Sequence, residues 1–445
     1  MTRSPILSPR RGRFIRRNLA LATVVAGTLF TSVPGASAAG RHDDQVQLRR
    51  DAAAITALGV TGVQARVTTR DGRNLTAISG VADLKGRRPV PRNGYFRIAS
   101  VTKTFVATVI LQLAGDGKLS LDDTVERWLP GAVAGKGNDG RTITIRQLLQ
   151  HTSGIHDDYP DYTSAKDFYR NRYDTYTPEQ IVARAMRHRP DFQPGKEWKY
   201  SNTGYVLLGM IIKRVTGNPW HEEVRNRIVR PLGLHHTFWP GTSPTLPRPH
   251  AKTYQRFKPG EPLVDVTEQV GSGTNGEAGL VSTTADLNRF FRALLGGRLL
   301  PPAQLAQMKQ TIPVGKEFEQ LMPGGRDGLG LFSRPLSCGG TYWGHEGGDS
   351  GWISTVGVSA DGRRSVTVSL SGVLADSADD VLRVVQAQST LIDNALCTTP
   401  DIGRQRRRAH ASRVVRFVPG SHSSPPESGR HCTSQDPLVG AARRA

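Results

Sequence analysis

The sequence predicts an α/β (α+β) chain. Its antiparallel sheet is assembled from both chain ends and flanked by helices, and a mostly helical lobe is inserted over about residues 115–275. Two observations predict this. Apolar and polar residues alternate over residues 63–84 around Asp71-Gly72, and three strand-like runs fill residues 341–371, the last two joined at Asp361-Gly362. Asp-Gly between alternating runs is a strong short-range hairpin signal. Between these β-rich ends lie helical patterns and long loops rich in Pro, Gly and Tyr, so α and β elements share one core.

Taken in chain order, residues 1–17 carry six arginines and no acid, followed by the apolar run Leu19 to Phe30 and Ala36-Ser37-Ala38. A basic segment, a short apolar run and a small-x-small site describe a secretory signal peptide over residues 1–38. The run is shorter than the roughly 20 apolar residues of a membrane span. Stable membrane insertion is therefore not expected, and the chain reads as secreted, extracellular or cell-wall associated. Arg16-Arg17 leaves twin-arginine export open beside the general route.

The hairpin over residues 63–84 comes next, and from Val101 the pattern turns helical. Phe105, Val106, Val109, Ile110 and Leu113 form one stripe. Thr144 with Gln147 forms a capping box before "QLLQ". Tyr200-Ser201-Asn202 precedes a helix marked by Val206, Leu207, Met210 and Ile211. After the three C-terminal strand runs, residues 375–396 read as an amphipathic helix with Val381, Val384, Val385 and Leu391 on one face. The folded unit thus spans about residues 39–400. Residues 401–445, with nine arginines and no periodicity, read as a disordered basic tail and a candidate propeptide.

The formal net charge of +21 invites a nucleic-acid reading, but the leader and the tail each supply +6 of it. The body is about +9 over 360 residues and lacks interleaved basic and aromatic residues. No nucleic-acid partner is expected, and attraction to wall polyanions suits this charge better. Of three cysteines, Cys338 and Cys397 flank the last strand-and-helix segment and form a candidate disulfide in an exported protein, leaving Cys432 in the tail.

Three short stretches carry chemistry. "SVTK" places Ser100 and Lys103 one helical turn apart, and a serine hydroxyl needs such a neighbouring base. Burial and the helix N-terminus both push a lysine amine toward the neutral form that can act as one. Taken alone, the tetrapeptide reads as an N-cap serine with a solvated lysine. "YSN" offers a tyrosine hydroxyl for proton relay and Asn202 for a substrate amide; its plain alternative is a polar turn. In "GHEGG", His345 and Gly347 lie on a strand whose glycines let a substrate backbone approach, or else form a glycine-rich loop with a surface histidine. A zinc reading is weak, because H-E-x-x-H is absent from the sequence.

The order and separation of these stretches resemble the serine β-lactamase and penicillin-binding protein superfamily, in its class C-like branch. They look most like the secreted soluble D-alanyl-D-alanine carboxypeptidases. "SVTK" matches S-x-x-K, "YSN" matches Y-x-N, and "HEG" matches H/K-T/S-G. "FRIASVTKTF", "LLQHTSGI", "PGKEWKYSNTGY", "GLVSTTADL" and "LSCGGTYWGHEG" add support, and the resemblance covers roughly residues 45–397.

The resemblance implies a β-lactamase/transpeptidase-like fold and an acyl-enzyme on Ser100, with Lys103 and Tyr200 sharing proton transfer. It places Asn202, His345, Glu346 and Gly347 at the substrate and the backbone N–H groups of Ser100 and Gly348 in the oxyanion hole. It requires no metal and no organic cofactor. The implied substrate is a peptidoglycan-derived peptide or a small acyl compound, cleaved by D-alanyl-D-alanine carboxypeptidase activity, with β-lactams as inhibitors. Esterase, β-lactamase or D-aminopeptidase chemistry on the same fold is the alternative, and a non-catalytic wall-binding protein is a third. One residue departs from the pattern: Glu346 stands where the carboxypeptidases have threonine or serine. Facing the site, it would repel a substrate carboxylate or favour an amine-bearing substrate; otherwise it points to solvent. Arg334 is the nearest arginine in "GLGLFSRPLSCG" that such a carboxylate could use.

Overall fold

Both hairpins form where the Asp-Gly turns put them in the computed structural model, which describes residues 36–270, 279–374 and 377–397. The expected tail with Cys432 lies outside the described residues, as does nearly all of the expected leader. The main sheet has eight strands: β1 (Val60–Thr68), β2 (Asn74–Gly80), β3 (Ile312–Pro313), β4 (Arg326–Asp327), β5 (Phe332–Pro335), β6 (Thr341–Asp349), β7 (Trp352–Ser359) and β8 (Ser365–Val373). Gly72 and Gly362, at φ 82° and 70°, take the left-handed conformation that each turn needs. Each donates its N–H back across the turn, to the Thr69 and Ser359 carbonyls.

The strand order is β2-β1-β8-β7-β6-β5-β4-β3, antiparallel throughout. β1 pairs with β8 from Val60↔Val373 to Thr68↔Ser365, so strands from the two chain ends lie side by side, second and third in the sheet. Helices α1 (Ala36–Ala57), α4 (Thr284–Leu295) and α5 (Ala378–Leu396) pack on its faces, while α2 (Thr102–Gly115) and α3 (Asn202–Thr216) pack against each other beside it. Val63, Ala65 and Val67 of β1 pack with Leu48, Ile55 and Leu391 of α1 and α5. The polar members of the same alternation are buried or half-buried rather than solvated, because α4 covers the other face. There Asn288 donates to the Arg66 carbonyl and to Thr68, and accepts from Thr367.

α2 departs from a one-sided stripe in the same way. Phe105, Val106, Val109, Ile110 and Leu113 are all fully buried, but so are Thr102, Lys103, Thr104 and Thr108 on the other sides. Phe105 stacks on Phe290 of α4 at 3.7 Å between ring centroids, while Val206 and Leu207 of α3 belong to the same core cluster. A helix enclosed on every side can hold polar side chains only by pairing them, and it places its N-terminus inside the molecule. Thr144 and Gln147 exchange both hydrogen bonds of a capping box. Cys338 and Cys397 form a disulfide that ties the turn before β6 to the end of α5. Among the described residues no helix is long and apolar enough to cross a membrane.

Candidate active site

Ser100 sits in a 3₁₀ turn, Ala99–Val101, at the mouth of α2. Ala99 before it adopts φ 45°, a left-handed conformation that costs a non-glycine residue on the order of 1 kcal/mol. Its neighbours hold the turn in place. The Val101 N–H donates to the Ile98 carbonyl at 3.1 Å, and the Ile98 N–H donates to the Leu280 carbonyl at 3.1 Å. Lys103, one turn on, is fully buried; its Nζ donates to Ser100 Oγ at 2.9 Å and to Asn202 Oδ1 at 2.8 Å.

The second stretch meets this pair from the start of α3. Ser201 caps the helix by accepting from the Gly204 N–H, which leaves Asn202 as the first helical residue, facing Lys103. Asn202 Nδ2 donates to Asp157 Oδ2 at 2.9 Å, and the other Asp157 oxygen accepts from the Thr203 N–H and hydroxyl. A carboxylate at the first turn of a helix is favourably placed against the helix dipole. Lys103, Asn202 and Asp157 therefore form a continuous chain. Tyr200 lies between two rings, His151 at 4.3 Å and Phe318 at 5.5 Å, both stacked, with Lys103 Nζ 5.0 Å from its centroid.

His151 is itself left-handed, at φ 56°, and its Nδ1 accepts from the Ser201 N–H at 3.1 Å. Burial, followed by the charge of Lys103 and the proximity of His345, pushes its pKa well below the ordinary histidine value. It is a neutral ring with a fixed tautomer.

β6 supplies the third wall. β5 pairs only with its first half, from Thr341 to Gly344, whereas β7 pairs along its whole length. Among the described residues, His345 to Asp349 therefore present an edge without a partner strand. Gly347 lies against the Ser100 turn: a Cβ there would stand 2.3 Å from the Ile98 carbonyl oxygen, so only glycine permits this approach. His345 is 2% exposed, and burial, followed by the charge of Lys103, lowers its pKa to about 3. Its Nδ1–H donates to the Glu346 carbonyl at 2.6 Å, and its buried Nε2 has no hydrogen-bond partner among the described residues. Gly348 continues the open edge beside the Ser100 turn, opposite Ile353 of β7.

Glu346 does not point to solvent. Successive strand residues face opposite sides, so it turns away from the face of Gly347. There it accepts from Arg334 Nη1 at 2.8 Å, while Arg334 Nη2 donates to Ser389 of α5. Burial pushes the Glu346 carboxyl up and Arg334 pulls it back. A guanidinium keeps its proton in proteins, so we read the contact as an ion pair.

The structure thus brings Ser100, Lys103, Tyr200, Asn202, His345, Gly347 and Gly348 to one place and turns Glu346 to the back of the strand. Three contributors carry no role in the sequence reading. His151 lies inside the quoted "LLQHTSGI", and Asp157 follows two residues beyond it in an acidic pair. Phe318 has no sequence signal at all.

A family model described as Beta-lactamase matches residues 22–389. Among curated relatives, Penicillin-binding protein 4* of Bacillus subtilis (strain 168) is 34% identical over 229 residues, covering 48% of this chain and 48% of the relative. Penicillin-binding protein 4 of Amycolatopsis lactamdurans is 31% identical over 258 residues, covering 54% and 63%. The chain thus spans about half to under two thirds of the length of these relatives. Among solved structures, a D-stereospecific amidohydrolase from Streptomyces sp. is 39% identical, covers 80% of this chain and 99% of its own, and superposes with a TM-score of 0.70. The D-amino acid amidase from Ochrobactrum anthropi SV3, complexed with L-phenylalanine amide, is 30% identical, covers 78% and 99%, and has a TM-score of 0.66.

Proposed function

Because the chain belongs to the Beta-lactamase family, we propose that it is an active-site-serine hydrolase that cleaves amides of D-amino acids with an uncharged leaving group. Ser100 Oγ attacks the substrate carbonyl, its proton passes to the Lys103–Tyr200 pair, and the same proton returns to the departing amine. Water then attacks the ester on Ser100 by the same route in reverse and releases the acid. Proton transfer of this kind is worth about 10²–10⁴ in rate. The N–H groups of Ser100 and Gly348 take the oxyanion, a contribution of several kcal/mol where such donors are preorganised. Asn202 orients the substrate amide, and neutral His345 lines the strand beneath it.

The ion pair between Arg334 and Glu346 carries the choice of substrate. A carboxypeptidase must hold the terminal carboxylate of its leaving D-alanine. The cation offered for that task is already neutralised at 2.8 Å and turned toward α5. An amide leaving group needs no such cation. The two solved relatives, a D-stereospecific amidohydrolase and a D-amino acid amidase, support the same reading. D-alanyl-D-alanine carboxypeptidase activity is the second reading, supported by the penicillin-binding relatives. The arginine-rich leader supports export, so either substrate would be met outside the membrane.

The test is hydrolysis of D-phenylalanine amide and of diacetyl-lysyl-D-Ala-D-Ala by the purified chain, with Ser100→Ala as control. Ammonia release that disappears in the variant, with little D-alanine released, is the expected result. Serine-dependent D-alanine release as the faster reaction would replace the first reading with the second. No loss of either activity in Ser100→Ala would overturn both.

A further inference from the structure

Away from Ser100, five arginines converge on a solvent-open groove. Arg289 and Arg292 extend from α4, Arg298 follows that helix, Arg66 comes from β1 and Arg363 from the turn between β7 and β8. None of the five forms an ion pair within 4.0 Å among the described residues. The groove's two carboxylates offset only part of this charge: Asp286 accepts from the His236 N–H and the Thr237 hydroxyl, and Asp361 pairs with Arg70 at 2.9 Å and feels the charge of Arg363.

A solvated arginine needs no counter-charge, but two of these are only half exposed. Arg66 donates through Nε to Thr284 Oγ1 at 3.4 Å, and burial lowers its pKa. Arg292 Nε is buried without a hydrogen-bond partner. Arg289 donates to the Leu232 and Gly233 carbonyls, yet five guanidiniums against two carboxylates leave an excess of positive charge in a partly buried groove, which is costly, and a bound anion removes that cost. We infer that this groove binds a linear polymer of phosphodiesters carrying no bases.

The chemistry narrows the ligand. Guanidinium forks match phosphate oxygens in pairs. Five of them, on four separate segments, exceed what one phosphate can use, so the ligand carries phosphates in series. Proteins that grip single-stranded nucleic acid add rows of large aromatic platforms for the bases, whereas this groove is lined by no Phe, Tyr or Trp and only by the adjacent rings of His235 and His236. The ligand class is therefore a polyol phosphate chain rather than DNA or RNA. The groove shares no lining residue with the catalytic group.

The experiment uses the full chain and a synthetic glycerol-phosphate oligomer of about ten units. Phenylglyoxal labelling of arginines, read by mass spectrometry, reports the groove independently of the basic tail. Expected are at least fivefold slower labelling of Arg289, Arg298 and Arg363 with oligomer present, and log K falling with log salt at a slope of about −3. The double substitution Arg289→Glu/Arg292→Glu should weaken binding at least tenfold and leave Ser100-dependent hydrolysis unchanged. Protection confined to the arginines of residues 401–445 would overturn the assignment, as would unaltered affinity in a folded double variant. Equal or tighter protection by a single-stranded oligodeoxynucleotide or by polyglutamate would overturn the ligand class. The labelling arm needs no variant, so a misfolded substitution does not rescue the idea.

Discussion

Lowering the pH from 7 to 5 should cost the fold about 2 kcal/mol through His345 alone. The ring is 2% exposed, lies 4.9 Å from the Phe332 ring, and has a pKa lowered to about 3 by burial and then by Lys103. In the unfolded chain the same ring takes its proton near 6.5. Between these values the unfolded state binds more protons than the folded one, so stability falls as the pH falls. The contribution is fully present above pH 6.5 and is lost toward pH 3. Each pH unit well inside that window is worth about 1.36 kcal/mol. That gives about 2 kcal/mol by pH 5 and roughly 4–5 kcal/mol at the lower limit.

Buried Asp327 and Asp349 have pKa values raised by burial and act with the opposite sign. The wild-type curve alone therefore does not isolate the histidine; the difference from His345→Gln does. Urea unfolding of both proteins at pH 7, 6 and 5 should show the stability gap narrowing by about 2 kcal/mol as the pH falls, because only the wild type loses that amount. A gap that stays constant would falsify the buried neutral histidine. In the same window, His345 and His151 should add no protonation limb near 6.5 to kcat/KM, since both rings are neutral there.

Four further outcomes follow from particular contacts. Gly347→Ala must displace the Ser100 turn, since its Cβ would meet the Ile98 carbonyl oxygen at 2.3 Å; kcat should fall at least 10²-fold, and wild-type kinetics would refute that packing. Phe318→Ala removes one face of the Tyr200 stack and a buried ring, so calorimetry should record about 3–5 kcal/mol of lost stability and kcat should drop at least tenfold. Glu346→Thr releases Arg334, and acylation of Ser100 by a fluorescent penicillin should speed at least tenfold; an unchanged rate would separate the ion pair from carboxylate recognition. Replacing Cys338 and Cys397 by serine opens a loop spanning 59 residues, which should cost about 4 kcal/mol and lower Tm measurably.

What the sequence made legible was local chemistry. The two Asp-Gly turns, the Thr144 capping box, the helix after Ser100 and the disulfide all rest on residues with few conformational choices or on a recognised motif order. What it hid was mostly long-range. His151, Tyr200 and Phe318 are far apart in the chain and meet only as a stack. Glu346 and Arg334 are twelve residues apart on neighbouring strands, and whether they face each other depends on a register that alternation alone does not fix. Alternation in β1 marks one apolar face; α4 closes the other with Asn288, a covering that no pattern within β1 encodes. The left-handed Ala99 was equally invisible, because alanine gives no signal for φ > 0.

These hidden contacts share a purpose at Lys103. A carboxylate placed directly on an ammonium holds its proton in a tight ion pair, and a lysine that must exchange a proton with Ser100 is poorly served by such a partner. Here Asp157 acts one residue removed: it accepts from Asn202 Nδ2, and Asn202 Oδ1 accepts from Lys103 at 2.8 Å. The amide transmits orientation and some polarisation without bringing a full negative charge into contact. The two histidines facing the same amine are neutral, so they add no repulsive charge as the proton moves. On this argument Asp157→Asn should misalign Asn202 more than it alters charge at Ser100. We expect kcat/KM to fall about tenfold or more with its pH dependence unmoved. A shifted profile would mean that Asp157 sets the proton affinity of the Ser100–Lys103 pair directly, and that the insulating role given to Asn202 is wrong.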